Sequence, residues 1–257
     1  MTPVSETLVA DFREARRNPD LVVLEGFHAL KHAIRFDASI ELAVTADRGE
    51  LEGLTARLAP DLTERLASLV TDVNRSTLRE LAPQEPHTGV LAVARRPSVE
   101  PDRALGSLSM ESPIVALEDP RNLGNLGAVV RVAAAADAAA VLTTGMQDPW
   151  DPAALRGSAG LHFALPVVRV DRLARPGRPL VAIDPDGDIF TPSDLPRNSL
   201  LAFGSEREGL SRELCDRADL RFRLPMRSGV SSLNLATSVA AVLFAWRLAT
   251  GRPGFPS

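Results

Sequence analysis

The chain has 257 residues, of which 45% are hydrophobic and 24% charged, so it can form one large domain or two ordinary ones with hydrophobic cores. Its net charge of -4 argues against a protein that coats nucleic acid nonspecifically, although a local basic patch remains compatible with it. No segment approaches the roughly 18 consecutive apolar residues of a membrane span, and the N-terminus lacks the apolar core of a signal peptide. We therefore expect a cytoplasmic protein, and the single cysteine, Cys215, excludes an internal disulfide.

Residues 1–96 alternate helix-like and strand-like segments. Helical patterns occur in VSETLVADFREARRN, FHALKHAIRF and GLTARLAPDLTERLASLV, and strand patterns in LVVLEG, IELAVTA and GVLAVARR. These segments predict a small α/β domain. Residues 97–112 follow, rich in Pro, Ser and charge and without sustained apolar periodicity, which is typical of a linker.

Residues 113–257 show the pattern of a second, larger α/β domain. The apolar runs PIVALE, AAAVLTTG, LPVVRV, PLVAID, SLLAFG and LRFRLP alternate with helix-like segments. Unbroken apolar strands separated by helices predict a parallel sheet with helices on both faces. Ligands of such sheets bind at the carboxyl ends of the strands, so the loops that follow the strands are the candidate site.

The first of these loops, EDPRNLGNLGAVVR at 118–131, follows the run PIVAL. Gly124 and Gly127 allow a tight turn, and Asn122 and Asn125 can cap a helix or donate hydrogen bonds. Arg131 falls inside the helix that comes next. A strand-to-helix turn with a surface arginine explains this loop equally well when it is taken alone.

Two further loops carry small polar residues. In FGSEREGLS at 203–211, Gly204 offers a backbone site and Glu206 an acceptor near a helix N-terminus, although capping accounts for Ser205. In LPMRSGVSSLNL at 224–235, Ser231 or Ser232 is predicted to cap the last helix, with Asn234 in its first turn. The apolar part of this loop can wall a pocket for a planar heterocycle.

Taken together and in this order, NLGNLGAVVR, GSEREGL and LPMRSGVSSLNL resemble the three motifs of the SpoU family of SPOUT-class RNA ribose 2'-O-methyltransferases. LVVLEGFHALKHAI and HTGVLAVA resemble the L30e-like substrate-binding domain that precedes the catalytic domain in many members. The resemblance implies a C-terminal trefoil knot, S-adenosylmethionine as cofactor, RNA as substrate, and a homodimer with its active site at the subunit interface. The helix at 233–248 would contribute to that interface.

The resemblance also implies roles for individual residues. Arg131 would lie at the reacting ribose, either as a base or, because guanidinium is a reluctant base, as a clamp for phosphate and developing alkoxide charge. Asn125 would orient Arg131 or the ribose. The full catalytic set is Arg131, Asn125, Glu206, Ser232 and Asn234, and the cofactor-binding set is Gly204, Ser205, Leu224, Pro225, Met226, Ser232 and Leu233.

The N-terminal domain has the densest basic cluster near the start of the chain. Lys31 is the only lysine among 29 basic residues. We expect RNA contact from the cluster Arg13, Arg16, Arg17, Lys31, His32 and Arg35, although a solvated helix face explains each of these residues equally well. Deleting residues 1–100 is expected to abolish RNA binding and to spare cofactor binding.

Other readings have weaker support. His28 and His32 have an i, i+4 spacing, but without a third ligand they do not indicate a metal site, and we expect none. The G-x-S-x-G of a serine hydrolase and the dinucleotide fingerprint of an oxidoreductase are both absent. A transfer RNA methyltransferase and an inactive RNA-binding protein of the same fold stay open, with ribosomal RNA favoured by analogy.

Overall fold

The structure is a computed structural model that describes residues 3–82, 86–98, 109–173 and 177–251. Most of the predicted linker, 99–108, lies outside the described residues. The described chain divides into two compact units, Met1–Ser98 with Trp150–Ala164, and Val99–Pro149 with Leu165–Ser257. The predicted boundaries 1–96, 97–112 and 113–257 remain predictions, and the sequence did not indicate that Trp150–Ala164 would pack in the first unit.

The described residues form nine α-helices and ten strands. The helices are α1 Pro3–Ala15, α2 Phe27–Arg35, α3 Arg48–Leu58, α4 Thr63–Leu69, α5 Arg75–Leu81, α6 Leu123–Ala135, α7 Pro152–Ser158, α8 Arg212–Arg217 and α9 Leu235–Ala249. The strands are β1 Leu21–Glu25, β2 Ile40–Thr45, β3 Thr71–Asp72, β4 Val90–Arg95, β5 Ile114–Leu117, β6 Ala140–Thr143, β7 Val167–Arg169, β8 Leu180–Ile189, β9 Leu200–Phe203 and β10 Leu220–Arg223.

The first unit contains a mixed sheet in the order β1-β4-β2-β3. β4 pairs antiparallel with β1 and β2, and β3 pairs parallel with β2. The helix predicted across residues 53–70 is divided into α3 and α4 by a short 3-10 helix at Pro60–Leu62. Pro60 explains the division, because proline lacks the amide hydrogen that an unbroken helix would need.

The second unit contains six parallel strands in the order β10-β8-β9-β5-β6-β7. Every residue of β5, β6 and β9 is buried, as an all-parallel sheet requires, and the predicted parallel sheet is therefore confirmed. β5 and β9 are neighbours, so the loops that follow them leave the same edge of the sheet. The trefoil knot remains a prediction, because strand order alone does not define the threading of the chain.

The beginning of the last helix differs from its prediction. α9 begins at Leu235 and its N-cap is Asn234, whose side-chain oxygen accepts hydrogen bonds from the amides of Ala236 and Thr237. The prediction that Ser231 or Ser232 caps this helix, with Asn234 inside its first turn, is therefore wrong. Asparagine is as good a cap as serine, and its position next to the first helical residue decides the choice.

Candidate active site

The three motif loops each begin where a strand of the second unit ends. The first connects β5 to α6, the second connects β9 to α8, and the third connects β10 to α9. Asn122 caps α6 by accepting a hydrogen bond from the Asn125 amide at 2.9 Å, and Ser211 caps α8 by accepting from the Leu214 amide. The three loops are therefore positioned by helix caps as well as by the sheet.

A chain of side-chain hydrogen bonds joins the three loops. The Asn234 amide nitrogen donates to the Asn125 oxygen at 3.0 Å, and the Asn125 amide nitrogen donates to Glu206 Oε1 at 2.9 Å. The Asn234 side-chain oxygen already accepts the hydrogen bond that caps α9, so only its nitrogen is left to bind Asn125, and it does so as a donor. This sets the donor and the acceptor in the bonds from Asn234 to Asn125 and from Asn125 to Glu206. Glu206 is the final acceptor, and its Oε2 also accepts from the Arg121 amide at 3.3 Å.

The hydrogen bonds determine the ionisation of Glu206. Partial burial alone would raise the pKa of this carboxyl, but hydrogen bonds from the Asn125 side chain and from backbone amides at Arg121 and Asn122 outweigh it. The pKa of Glu206 is lowered as a result. The carboxylate is thus available as an acceptor at neutral pH, as the direction of the chain requires.

The second loop is held by its own backbone and by Glu118. Ser205 and Gly209 exchange two backbone hydrogen bonds of 3.2 and 3.1 Å, which fold the loop back on itself. A Cβ at Gly204 would collide with the Gly209 carbonyl carbon and the next amide, so only glycine fits there. Glu118, at the end of β5, accepts from the Ser211 amide and hydroxyl at 2.6 and 2.7 Å.

A cavity of about 280 Å³ lies between the second and third loops and the middle of β8, at Ile183, Asp184 and Pro185, and we call it the loop cavity. Most of the predicted cofactor-binding residues line it, namely Gly204, Ser205, Leu224, Met226, Ser232 and Leu233. Glu206, predicted as catalytic, lines it as well. Pro225 is not among its lining residues, and neither are Asn125, Asn234 and Arg131.

Arg131 stands apart from the other predicted catalytic residues. It is exposed, and within the described part of the chain its side chain makes no hydrogen bond or ion pair. It lies six residues beyond Asn125 on α6, which turns it by about 240° around the helix axis. The side-chain amide of Asn125 is engaged by Glu206 and Asn234 rather than by Arg131, and the prediction that Asn125 orients Arg131 or the ribose stays a prediction.

The sequence reasoning missed several residues of the loop cavity, including Asp184, Arg207 and Arg223. Asp184 ends the apolar run PLVAID, so the rule that ligands bind at the carboxyl ends of parallel strands could have found it. Burial would raise the pKa of Asp184, but Arg221, 2.7 Å away, lowers it. Burial and the neighbouring Asp184 carboxylate raise the pKa of the Cys215 thiol, which is typical of an unreactive buried cysteine.

The predicted RNA contacts fall into two groups. Arg13 and Arg17 are exposed on and just after α1. The side chains of Arg16, His32 and Arg35 bind the Leu81 carbonyl, the Ala159 carbonyl and Asp61 respectively. Lys31 is only 8% exposed, the least of the predicted contacts, and its role in RNA binding stays a prediction.

Within the described residues, no cluster of three or more His, Cys, Asp and Glu side chains could hold a metal ion. None of the described helices has the length and apolar character needed to cross a membrane.

Comparison with known proteins places these features in a family. The family model described as the SpoU rRNA Methylase family matches residues 112–244, which is more than half of the chain. A 23S rRNA (guanosine-2'-O-)-methyltransferase of Photobacterium profundum is 32% identical over 249 residues, covering 85% of this chain and 94% of that protein. A 23S rRNA (uridine(2479)-2'-O)-methyltransferase of Streptomyces viridochromogenes is 30% identical over 202 residues, covering 73% of this chain and 64% of its relative.

A solved structure shows the same fold. The SpoU methyltransferase AviRb from Streptomyces viridochromogenes, in complex with the cofactor AdoMet, superposes with a TM-score of 0.73 at 23% identity, covering 97% of this chain and 98% of that one. Fold and loops together define a two-unit α/β protein with a cavity between loops that follow the strands of a parallel sheet. The chain belongs to the SpoU rRNA methylase family.

Proposed function

We propose that this protein is an RNA methyltransferase that transfers the methyl group of S-adenosylmethionine to a ribose 2'-hydroxyl of 23S ribosomal RNA. Its relatives from Photobacterium and Streptomyces are named as 23S ribosomal RNA 2'-O-methyltransferases, and the AviRb structure contains AdoMet. The observation that carries the proposal is the chain of hydrogen bonds from Asn234 through Asn125 to Glu206, at the edge of the loop cavity.

The loop cavity has the residues that such a cofactor needs. Ile183, Leu224, Met226 and Leu233 provide apolar walls for an adenine ring, and the bare backbone at Gly204 allows close approach. Hydroxyls at Ser205, Ser231 and Ser232 can bind polar groups of the cofactor. Asp184 and Glu206 supply carboxylates and Arg207 and Arg223 supply guanidinium groups, so the cavity can pair with both the cationic and the anionic groups of such a cofactor. When bound, S-adenosylmethionine supplies a methyl group on a cationic sulfur.

The protein must also orient the 2'-hydroxyl and stabilise the charge that develops on its oxygen. The guanidinium of Arg131 can bind the phosphate beside the target ribose and stabilise the developing alkoxide. It is exposed and is not committed to another partner within the described residues. Asn125 and Asn234, held in one orientation by Glu206, act as positioning residues for the ribose.

The separation of Arg131 from the loop cavity supports a homodimer in which a second subunit completes the site. Apolar side chains are exposed on the last helix, where Phe244 is 41% exposed and Leu248 82% exposed. They are four residues apart and lie on one face of α9. Exposed apolar side chains on one face of a helix are typical of a protein interface.

RNA binding is assigned to the first unit, where Arg13 and Arg17 are exposed and, unlike the equally exposed Arg16 and Arg35, make no side-chain hydrogen bond or ion pair within the described residues. We place the protein in the cytoplasm with its ribosomal RNA substrate.

Purified protein should bind S-adenosylmethionine in calorimetry and transfer a labelled methyl group to a 2'-hydroxyl of 23S ribosomal RNA. Labelling of transfer RNA alone would replace the proposed substrate, and cofactor binding without transfer to either RNA would favour an inactive binding protein.

The role of Arg131 has a sharper test. Arg131→Ala should lose methyl transfer while cofactor affinity stays within several-fold, and Arg212→Ala, an exposed arginine on α8, should retain both. Mixed dimers of Arg131→Ala and Glu206→Gln subunits should regain activity if Arg131 serves the partner's site, because one of the two sites is then intact. Activity in Arg131→Ala itself would remove this residue from the mechanism, and inactive mixed dimers would show that each site takes Arg131 and Glu206 from the same subunit.

A further inference from the structure

The first unit has a second cavity, of about 290 Å³, which we call the N-terminal cavity. Its walls are the start of α2, the turn before β4 and the end of α7, and they include Glu25, Gly26, His28, His87, Thr88 and Arg156. None of these residues belongs to the loop cavity or to the predicted basic cluster. Its volume is near the lower end of small-ligand sites, which are roughly 300–1,000 Å³.

The cavity is a built feature of the unit. Gly26 has a φ of 92°, and a Cβ there would approach the Thr88 hydroxyl oxygen to 3.3 Å. That oxygen accepts the Phe27 amide at 2.8 Å, which connects the start of α2 to the turn before β4. On the other side, the Ala159 carbonyl at the end of α7 accepts from His32 Nδ1 at 2.8 Å.

Two imidazole rings line this cavity, and both are exposed. His28 packs edge-on against the buried ring of Phe27, with ring centroids 5.7 Å apart, which holds the orientation of the imidazole. His87 lies on the turn before β4, which also lines the cavity. Histidine rings are among the side chains on which proteins stack unpaired RNA bases.

The polar groups of the cavity match a base edge better than a bare phosphate. Glu25 accepts from Arg156 at 2.7 Å, so an acceptor and several donors lie side by side on one wall. Their charges cancel, and the carboxylate would repel an anion. Adjacent donors and acceptors are what the edge of a nucleobase presents.

We propose that the N-terminal cavity binds one unpaired nucleobase of the RNA substrate, stacked on His28 and His87 and hydrogen-bonded by the Glu25–Arg156 pair. This inference rests on the proposed function only for the statement that the base belongs to the substrate. It assigns to the first unit a contact that distinguishes single-stranded from paired RNA, which Arg13 and Arg17 cannot do through charge alone.

The test uses the full-length protein and a fluorescent single-stranded RNA decamer of mixed sequence, an abasic decamer with the same phosphates, and the decamer paired with its complement. The single-stranded decamer should bind more tightly than the other two. His28→Ala and His87→Ala should each weaken its binding by about 5- to 100-fold, which corresponds to the loss of one stacked base. His28→Phe and His87→Phe should retain binding, because they keep a ring.

Phe36→Ala is the matched control, since it removes an exposed ring at the other end of α2. It should leave the affinity unchanged, and thermal unfolding will show that all variants fold. Equal binding of the abasic decamer, or unchanged affinity in both histidine-to-alanine variants, would overturn the inference. S-adenosylmethionine binding, measured in parallel, separates the outcomes: its absence contradicts the proposed function and leaves the result for the cavity standing.

Discussion

Glu206→Gln tests the direction of the hydrogen-bond chain. The carboxylate accepts from the Asn125 side chain on one oxygen and from the Arg121 amide on the other. A glutamine at position 206 has one oxygen and one NH₂ group. Either the Asn125 side-chain nitrogen or the Arg121 backbone amide would therefore face this NH₂ group instead of an acceptor. Rotating the Asn125 amide does not help, because its nitrogen would then face the Asn234 nitrogen, whose oxygen is held by the cap of α9.

The size of the effect follows from one lost hydrogen bond to a charged acceptor. Such a bond contributes about 1.5–3 kcal/mol, and because Glu206 is exposed to solvent we expect a loss below this range, about 1 kcal/mol in the free energy of unfolding. For a protein of this size that corresponds to roughly 2–4 °C in the melting temperature. The rate of methyl transfer should fall by more than tenfold, because Asn125 and Asn234 lose their fixed orientation. Initial rates on 23S ribosomal RNA and thermal unfolding measure the two effects separately.

Glu208→Gln is the matched control, since it removes a charge two residues away on the same loop without touching the hydrogen-bond chain. It should change neither the rate nor the melting temperature. The double variant Asn125→Asp with Glu206→Gln reverses the polarity, because the new carboxylate at position 125 would accept both from the new amide at position 206 and from Asn234. It should recover the stability lost by Glu206→Gln, whereas Asn125→Asp alone places two carboxylates about 3 Å apart. A Glu206→Gln protein with unchanged rate and stability would refute this account of the site.

Three further changes test other parts of the structure. Gly204→Ala should weaken S-adenosylmethionine binding more than tenfold in calorimetry, since its Cβ collides with backbone atoms. Gly53→Ala in α3 has open space around the new methyl group and should raise the free energy of unfolding by up to about 1 kcal/mol. Equal effects of the two substitutions on cofactor binding and on stability would contradict this difference. Leu248→Asp should convert a dimer into a folded monomer in light scattering, and an unchanged mass would exclude this residue from the interface. Burial lowers the pKa of His32 in the folded protein, so the contribution of this residue to stability should be complete above its unfolded pKa of about 6.5 and be lost as the pH falls below that value. His32→Asn should flatten this decline of stability in urea unfolding. An equally steep decline in the variant would count against a contribution from His32.

The sheet of the second unit was predictable because its strands are continuous apolar runs. A strand that is buried on both faces needs no alternation, and β5, β6 and β9 have none. The same reasoning located the candidate site, since the carboxyl ends of parallel strands lie at one edge. This rule selects Gly204 and Glu206 from the sequence.

The individual contacts were less predictable, because they depend on distances between segments far apart in the chain. Asn125 and Asn234 are 109 positions apart, and no local pattern shows that one donates to the other. The start of α9 was misplaced because Ser231, Ser232 and Asn234 are all good caps, and only the tertiary position of Asn234 distinguishes them. The burial of Lys31 was not predictable for the same reason, because the sequence around an isolated basic residue on a helix does not show which residues cover it.

The first unit includes a segment from the middle of the chain, Trp150–Ala164, and this affects how RNA binding should be tested. Trp150 and His162 come from the middle of the chain, are 4% and 0% exposed, and pack against each other within the first unit. A Cβ at Gly160 would lie 2.6 Å from the Ala29 carbonyl oxygen, so the backbones of the two segments are in direct contact. Deleting residues 1–100 would expose this apolar segment in whatever remains, and loss of activity in the truncated protein could result from misfolding alone. Substitutions at His28, His87, Arg13 or Arg17 leave that packing in place, and they separate a role in RNA binding from a role in folding.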